Sequence, residues 1–548
     1  MLVHMVGPMI RSPRFLHGFL SGLFHPIACL HLSIMPLLTT IVATIGPASE
    51  SPDIVADLIR AGVGVFRFNF SHGDLETHAA RLATVRRVSD ELGCAVACLG
   101  DLQGPKIRIG RIPAGVGRPH PSGGGAVLAR EAGLIILKKG IAEAFERPDV
   151  RGALPVLPLT YEPLVDEVEP GHAVLINDGA VRLTAVERRG DELICRVVVG
   201  GVISSNKGIN LPDSSLTTPA ITERDWECAA WAVAHDLDFL ALSFVREAAD
   251  VIQLREGLAG MCRAATERRA PSAGAWIPII AKIEMPQAVK NLDPIVDASD
   301  GVMVARGDLG VEMDLAQVPF IQKRIVGTCR QFGKPCIVAT QMLESMIENA
   351  VPTRAETTDV ANAILDGADA VMLSAETATG RHPLATVRTM ARIAAAAEGH
   401  QAAQPQVHRP PTRLSESHRA TAALASGAWQ IANELGVKAV VCWSQHGGTA
   451  RYLSQNRFLI PVVVYTSDGP TARQMALHHG LTPVLSAPPP SGTLADWNRA
   501  VDQYLLTQGL VKAGEPILLI AGKPLGKAKR TNALAIHKVG EVGGFLSE

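Results

Sequence analysis

The sequence has almost no net charge and few aromatic residues. Its 548 residues contain 52 Lys and Arg against 53 Asp and Glu, a formal net charge of −1, and Phe, Trp and Tyr make up only 4%. A chain without a positive field has little electrostatic attraction for nucleic acid or for an anionic membrane. Scarce aromatic residues also leave few platforms on which bases could stack. Both absences argue against a nucleic-acid-binding or membrane-surface protein.

Paired cysteines and the common nucleotide motifs are also missing. The nine cysteines are scattered, none forms a C-x-x-C pair, and Cys94 and Cys98 are the nearest two. Such an odd, dispersed set is typical of reduced thiols in a cytoplasmic protein and does not suit a zinc site. The sequence contains neither G-x-x-x-x-G-K-[ST] nor G-x-G-x-x-G. A P-loop and a Rossmann dinucleotide site are therefore not expected.

Residues 1–36 differ from the rest of the chain. They contain no acidic residue, and the apolar stretch between Phe15 and Met35 is interrupted by Gly, His and Pro. This stretch is a poor membrane-spanning helix and a poor secretory signal. We expect a disordered, dispensable extension with Met35 as a plausible start, so that deletion of residues 1–34 leaves activity unchanged. A targeting role for this segment stays open.

Apolar residues make up 47% of the sequence, enough for three or four domains with large cores. From Thr39 onward, short apolar runs alternate with helical patterns, as in buried parallel strands followed by helices. The predicted strands are Thr39–Gly46, Val63–Phe70, Ala95–Leu102, Leu237–Val245, Ile277–Glu284, Ser299–Arg306, Lys334–Gln341 and Asp369–Glu376. Eight such units predict an α/β protein built on a (β/α)₈ TIM barrel, formed by residues 37–104 and 211–400.

Two other segments break this pattern. Residues 105–210 are rich in Gly and Pro turns and contain the β-type runs His172–Ile176, Val181–Glu187 and Glu192–Val199, which predict an inserted all-β lid domain. A polar, Pro-rich linker follows at 401–411. Residues 412–548 are then predicted to form a smaller C-terminal α/β domain, with a helix at His418–Leu435 and strands at Ala439–Trp443, Val462–Thr466 and Ile517–Ala521.

Polar side chains end most of the predicted barrel strands, where active sites of such barrels lie. Lys282 and Glu284 share one face of the fifth strand, and Asp308 follows the sixth. Two carboxylates on adjacent strands suit one Mg²⁺ ion, and Arg67 on the second strand would face a phosphate-bearing substrate. From the residues alone, a barrel interior closed by salt bridges remains the alternative.

Eight segments together resemble the pyruvate kinase family. They are TIVATIGPAS (40–49), RFNFSHG (67–73), GDLQGPKIRIG (100–110), NKGINLP (206–212), AKIEMPQAVKNL (281–292), VMVARGDLGVE (302–312), ATQMLESM (339–346) and PTRAETTDVANAILDGADAVMLSAETATG (352–380). The resemblance extends from Thr39 to the end of the chain. It implies transfer of the phosphoryl group of phosphoenolpyruvate to ADP, giving pyruvate and ATP in the last step of glycolysis.

The resemblance also implies roles for the matching residues. Lys282 resembles the catalytic lysine that stabilises the phosphoryl group in transfer, and Arg67 the arginine that contacts it. Glu284 and Asp308 resemble the ligands of Mg²⁺, for which Mn²⁺ can substitute. Thr340, with water, is the expected region of the proton relay to enolpyruvate, whose final donor stays open.

Substrate and nucleotide positions follow from the same resemblance. The residues expected at the phosphoenolpyruvate or pyruvate are Arg67, Lys282, Gly307, Asp308 and Thr340. Those expected at ADP or ATP are Thr44, Asn69, His72, Arg108 and Lys207. The family also suggests a homotetramer, whereas nothing in the sequence itself determines the number of subunits.

One departure from the family bears on the monovalent cation. Potassium-dependent members bind K⁺ through residues matching Asn69, Ser71 and Asp101, together with a hydroxyl residue where this chain has Leu102. They also carry Glu where this chain has Lys106. An ammonium group can supply the positive charge of the ion, so we expect a K⁺-independent enzyme of the lysine-bearing subgroup. The alternative is a solvated lysine at the lid hinge.

Outside the barrel, the loop 444–450 follows a predicted strand and has the small residues that suit a phosphate. The resemblance implies that the C-terminal domain is regulatory and that a phosphorylated effector contacts Ser444, Gly447, Gly448 and Thr449. The family's motif is only partly matched, so a plain turn fits about as well, and the effector's identity is open. Two other functions remain: a Mg²⁺-dependent lyase or carboxylase acting on phosphoenolpyruvate or pyruvate, and a catalytically silent regulatory homologue.

Overall fold

The computed structural model describes residues 37–121, 123–149, 152–214, 216–266, 276–413, 419–490, 493–522, 525 and 531–541. The N-terminal extension, with the expectations about its order and its deletion, lies outside these residues. None of the helices in the described segments is long and apolar enough to cross a membrane.

Eight parallel strands close into a barrel in which each strand pairs with its neighbours in the sequence. Thr40 of the first strand pairs with Ala370 of the eighth and completes the ring. The strands are Thr40–Thr44, Val63–Asn69, Ala97–Asp101, Phe239–Leu242, Ile279–Ile283, Gly301–Ala305, Cys336–Ala339 and Ala370–Leu373. The predicted TIM barrel is confirmed, but the strands are shorter than the predicted apolar runs, and the fourth, seventh and eighth have about half the predicted length.

The barrel strands are apolar on both faces because both are buried. Val42, Val65 and Ile280 point into the barrel interior, whereas Ile41 and Phe66 pack against the surrounding helices. All five residues are inaccessible to solvent. Continuous apolar runs are the expected pattern for such strands.

Helices and short 3₁₀ turns connect and surround these strands. They are Pro52–Arg60, Leu75–Leu92, Glu223–Ala234, Ala248–Thr266, Pro286–Lys290, Leu292–Ala298, Arg306–Glu312, Leu315–Gln317, Val318–Phe332, Glu344–Ile347, Arg354–Asp366, Ala375–Ala378 and Pro383–Ala402. Local sequence sets several ends: the Ser51 side chain caps the first helix, and Gly93 and Gly333 end two others in the left-handed conformation.

The insertion between the third and fourth barrel strands is almost entirely β-structure. Its strands are Arg118–Pro119, Gly125–Ala129, Leu134–Lys138, Phe145–Asp149, Gly152–Pro158, Ala173–Ile176, Val181–Arg189, Glu192–Val199, Gly201–Ser204 and Ile209–Asn210, with one helical turn at Leu164–Glu167. They form a seven-stranded and a three-stranded sheet around a separate apolar core. The sequence predicted only three of these strands, because the others are short and most of them contain Gly or Pro.

The C-terminal segment forms a five-stranded sheet with helices. In spatial order its strands are Leu481–Leu485, Val462–Thr466, Val440–Trp443, Pro516–Ala521 and Ala533–Lys538, and only the last is antiparallel. Its helices are Arg419–Leu435, Gly448–Gln455, Gly469–Met475 and Leu494–Thr507. The predicted α/β character and three predicted strands are confirmed, whereas the two edge strands were not predicted.

Seven cysteines are buried free thiols in the described parts of the chain. They are Cys98, Cys195, Cys228, Cys262, Cys329, Cys336 and Cys442. Cys94 is instead disulfide-bonded, so the expectation of reduced thiols throughout is wrong at that position.

Candidate active site

Five polar side chains from the second to the fifth barrel strands and their ends meet at the carboxyl end of the barrel. Arg67 Nε donates to Asp101 Oδ2 at 2.7 Å, and Lys282 Nζ lies 3.2 Å from Asp101 Oδ1. Lys282 Nζ also donates to Ser243 Oγ at 2.6 Å and pairs with Glu284 Oε1 at 2.8 Å. Parallel strands bring residues far apart in sequence to one edge, so Arg67 and Lys282 share one carboxylate there.

These charges are buried and therefore depend on one another. The side chain of Asp101 is only 1% exposed and that of Lys282 12%. Burial by itself lowers the pKa of Lys282, but the carboxylates of Asp101 and Glu284 hold that pKa above its usual value. Burial would likewise raise the pKa of Asp101, but Lys282 and Arg67 hold it low. The lysine is thus charged and the aspartate ionised at neutral pH.

Glu284 and Asp308 form the expected carboxylate pair. The backbone N–H of Phe244 donates to Glu284 Oε2 at 2.6 Å, and Asp308 lies in the first turn of the helix that follows the sixth strand. Burial raises the pKa of Glu284, and the charge of Asp308 adds to this rise against the lowering effect of Lys282. Two carboxylates that repel each other at a buried edge fit a divalent cation bound through oxygen ligands.

The loop after the seventh strand holds Thr340 in an uncommon conformation. Thr340 and Gln341 have φ of 70° and 53°, in the left-handed region that costs energy for residues other than Gly. Arg306 donates to the Thr340 carbonyl at 2.7 Å, and Thr340 Oγ1 accepts from Gly307 N at 2.7 Å. The hydroxyl expected at the substrate is therefore fixed beside the helix that carries Asp308.

The residues expected at the nucleotide fall into three groups. Thr44 Oγ1 accepts from Arg67 Nη1 at 3.0 Å, so Thr44 adjoins the charged cluster. Asn69 ends the second strand and His72 lies in the turn after it, where His72 N donates to the Asn69 carbonyl. Arg108 and Lys207 lie on neighbouring backbone segments at the base of the lid.

Arg108 and Lys207 come together where the chain enters and leaves the lid. Ile109 N donates to the Lys207 carbonyl at 2.8 Å, and Arg108 Nη1 donates to the Asn206 carbonyl at 2.9 Å. Both side chains are partly exposed. The lid therefore presents two cations from one short stretch of paired backbone.

Comparison with known proteins identifies the family. The model "Pyruvate kinase, barrel domain" matches residues 37–387, and "Pyruvate kinase, alpha/beta domain" matches 422–537. The chain belongs to the pyruvate kinase family. Among its relatives, the pyruvate kinase of Mycobacterium intracellulare is 41% identical over 91% of this chain and 98% of the relative. Those of Corynebacterium glutamicum and Geobacillus stearothermophilus are each 39% identical over 92% of this chain, covering 98% and 81% of the relative.

In this pyruvate kinase, Lys106 does not contact the carboxylate with which the sequence associated it. Its side chain packs against Gly208 in the lid, where a Cβ would lie 3.0 Å from Lys106 Cε and 3.8 Å from Nζ. Within the described chain, Lys106 forms no ion pair with Asp101, whose partners are Arg67 and Lys282. Leu102, the residue without side-chain oxygen, is buried.

The loop in the C-terminal domain has the geometry of a tight helix entry. Gly447 has φ of 74°, and the helix Gly448–Gln455 begins directly after it. A Cβ at Gly447 would lie 2.5 Å from Met475 Cε, so the position favours Gly both by conformation and by space. Ala450 N donates to Ser444 Oγ at 3.5 Å, and Thr449 Oγ1 lies 2.5 Å from Thr531 Oγ1.

Sequence reasoning left several contacts of this pyruvate kinase unassigned. Ser243 directly follows the fourth barrel strand, and its hydroxyl is a partner of Lys282 to which the sequence analysis gave no role. The Phe244 N–H on Glu284 comes from a backbone with φ of 55°, which no residue pattern signals. Asn210 of the lid donates to Glu312 Oε1 at 2.7 Å, a contact between residues 102 positions apart that the motifs do not reveal.

Proposed function

We propose that this pyruvate kinase transfers the phosphoryl group by charge stabilisation from Lys282 and Arg67, and that it depends on Mg²⁺ held by Glu284 and Asp308. The observation that carries the proposal is the buried cluster in which Asp101 contacts both Arg67 Nε at 2.7 Å and Lys282 Nζ at 3.2 Å. A bound Mg²⁺ would supply further positive charge to the phosphate oxygens.

Each residue of the cluster has a distinct task in this proposal. Asp101 orients two cations toward the reacting phosphoryl group, and Ser243 fixes the direction of the Lys282 ammonium. The two cations neutralise charge on the phosphoryl oxygens as the group passes in line from the enol oxygen to ADP. Because the positions are set by buried contacts, little reorganisation is needed during transfer. Thr340, held beside Gly307, is the proposed region from which enolpyruvate receives its proton.

We also propose that no potassium ion is required. Lys106 stands where potassium-dependent members have Glu, and Leu102 has no side-chain oxygen to offer a cation. The side chain of Lys106 lies at the lid hinge beside Gly208 rather than against Asp101. Its charge would therefore act on the substrate phosphates as the lid closes, and not as a permanent replacement at the Asp101 carboxylate.

Other properties stay predictions at this point. We expect ADP or ATP at Thr44, Asn69, His72, Arg108 and Lys207, and a phosphorylated effector at Ser444, Gly447, Gly448 and Thr449. A homotetramer, a cytoplasmic location and the domain limits given from the sequence are likewise predictions.

The decisive experiment measures ADP-dependent pyruvate formation from phosphoenolpyruvate with Mg²⁺. Lys282→Met should reduce kcat by about 100- to 1000-fold, the cost of removing one preorganised electrostatic donor, while the affinity for nucleotide is kept. Lys290→Met, at an exposed lysine on a nearby helix, is the matched control and should be unaffected. An unchanged rate in Lys282→Met would refute the assigned role, and inactivity of the unmodified chain would favour the lyase or the silent homologue.

The cation requirement is tested with the same assay in a strictly K⁺-free buffer and again with K⁺. Full activity in both buffers is expected. Lys106→Glu should lose activity without K⁺, because it replaces a positive charge near the phosphates with a negative one. Activity of the unmodified chain only with K⁺ would leave the kinase assignment standing and refute the argument about Lys106.

A further inference from the structure

A cavity of about 370 Å³ lies where the C-terminal domain meets the barrel. It is lined by the ends of three barrel helices, by the linker around 404–409, and by residues of the C-terminal domain. Gly367, one of its lining residues, precedes the eighth barrel strand, so the cavity opens at the amino end of the barrel. It is therefore separate from the candidate active site, and its volume suits a small metabolite.

The charged residues that line this cavity are all basic. Arg330 comes from the barrel, Arg409 from the linker and Arg457 from the C-terminal domain, and His400 and His479 add two imidazoles. No Asp or Glu is among the described lining residues. Arg457 is paired with Asp369, which lies outside the lining, whereas Arg330 and Arg409 have no ion pair among the described residues, so the cavity favours an anion.

Two of the three arginines have no partner in the described part of the chain. Arg457 donates to the Ala368 carbonyl at 3.2 Å and pairs with Asp369 at 3.0 Å. Arg330 Nη1 lies 3.4 Å from the position of a Cβ on Gly367, and its guanidinium makes no hydrogen bond or ion pair there. Burial, followed by the charge of Arg457, lowers the pKa of Arg330 to about 10. Arg330 is thus held in an unfavourable field that an anion would relieve.

His479 and Arg457 line the cavity from the C-terminal domain. His479 is only 5% exposed, and burial together with Arg457 and Arg330 lowers its pKa, so its imidazole is neutral. Arg457 Nε and His479 Nδ1 are closed off from solvent, so neither atom is available to a molecule in the cavity. An anion would therefore meet the guanidinium groups of Arg330 and Arg409.

We propose that this cavity binds a small phosphate-bearing metabolite, with the phosphate on Arg330 and Arg409 and the remainder against Trp429. Guanidinium groups match phosphate oxygens in pairs, and the two arginines without an ion pair suit a dianion better than a single carboxylate. Trp429 lines the same cavity and stacks on His408 with ring centroids 4.4 Å apart, which offers an apolar wall for the rest of the molecule.

Such a ligand would connect the C-terminal domain with the barrel. Arg457 of the former binds Asp369 of the latter, and Asp369 Oδ2 accepts from Cys336 N at 2.9 Å while its carbonyl accepts from Thr40 N at 3.0 Å. Asp369, which Arg457 contacts, therefore binds the first residues of two barrel strands and directly precedes a third. A ligand that binds only the docked arrangement stabilises it by RT ln(1 + L/Kd), where L is the free ligand concentration.

The test uses the full chain, with sn-glycerol 3-phosphate as the probe and Trp429 fluorescence as the local reporter. We expect a saturable signal that disappears in Trp429→Phe, and affinity at least about tenfold weaker in Arg330→Gln and in Arg409→Gln. Arg392→Gln, at an exposed arginine of the helix that also carries His400, is the matched control and should bind normally. Pyruvate formation measured without the probe should be the same in all these variants.

Three results would overturn the proposal: no saturable binding, equal affinity in Arg409→Gln and the control, or equally tight binding of malonate. The last would assign the cavity to carboxylates in general. Arg409 is exposed, so its variant keeps the test informative even if Arg330→Gln folds poorly. Because the readout is binding at Trp429, it is independent of whether Lys282 and Arg67 act as proposed.

Discussion

Asp101→Asn tests whether one buried carboxylate holds the two active-site cations. Asn keeps the size of Asp but removes the negative charge that contacts Arg67 Nε at 2.7 Å and Lys282 Nζ at 3.2 Å. The substitution leaves two cations facing each other at a position where the Asp101 side chain is 1% exposed. Both stability and catalysis should therefore fall.

The size of the effect follows from the remaining contacts. Breaking a buried ion pair on one side costs about 3–5 kcal/mol. Lys282 keeps Glu284 and Ser243, and Arg67 keeps Thr44, so the lower end of about 3 kcal/mol applies here. For a domain of this size class, about 3 kcal/mol corresponds to a fall of roughly 6–12 °C in Tm. Loss of the orientation of Arg67 should also reduce kcat by about 100-fold.

Asp57→Asn provides the matched control for this measurement. Asp57 pairs with Arg60 at 3.1 Å, but the two side chains are 42% and 56% exposed, so the change should cost at most about 0.5 kcal/mol. Calorimetry and the pyruvate assay are run on both variants in K⁺-free buffer. If Asp101→Asn melts and turns over like the control, the shared carboxylate does not organise the site. A lower Tm with normal kcat would refute only its role in positioning.

Two further changes test contacts that join separate parts of the chain. Burial raises the pKa of Glu312 to about 7, with Asp308, Asp213 and Glu284 adding to the rise against the hydrogen bond from Asn210. Since the folded protein binds this proton more tightly than the unfolded chain, the free energy of unfolding should fall by on the order of 2–3 kcal/mol as pH rises from about 4.5 to about 7. Glu312→Gln should abolish that fall in calorimetry with EDTA. An unchanged pH dependence in the variant would contradict the assignment to Glu312. Arg473→Met removes the 2.7 Å ion pair with buried Asp238, which keeps its second partner Arg86 at 2.8 Å. The free energy of unfolding should therefore fall by about 1–2 kcal/mol with unchanged kcat. A variant as stable as the unmodified chain would show that this pair does not hold the C-terminal domain to the barrel.

Local patterns were sufficient for most of the barrel because each strand is buried on both faces. The runs around Val63–Asn69 and Ile279–Ile283 are continuous and apolar, and Gly93 and Gly333 mark helix ends by a conformation that favours Gly. The lid was harder to predict, since its short strands contain Gly and Pro and pair in an order that no periodicity reveals.

The candidate site was predictable in its membership but not in its pairings. Strand-end positions and family motifs pointed to Arg67, Lys282, Glu284 and Asp308, because catalytic groups of such barrels follow the strands. They did not show that Asp101 serves both cations. They also placed Lys106 beside the Asp101 carboxylate, but the described residues show no contact between the two.

Local burial patterns and contiguous motifs were enough to predict the fold class, the family and the residue types at the carboxyl end of the barrel. The meeting of distant groups was visible only in the folded chain, as with Arg330 and Arg457 around one cavity or Asn210 on Glu312. Such contacts join residues about a hundred or more positions apart, and their geometry depends on how separately folded units dock. Docking is controlled by the shape and charge of whole surfaces, which no short stretch of sequence contains.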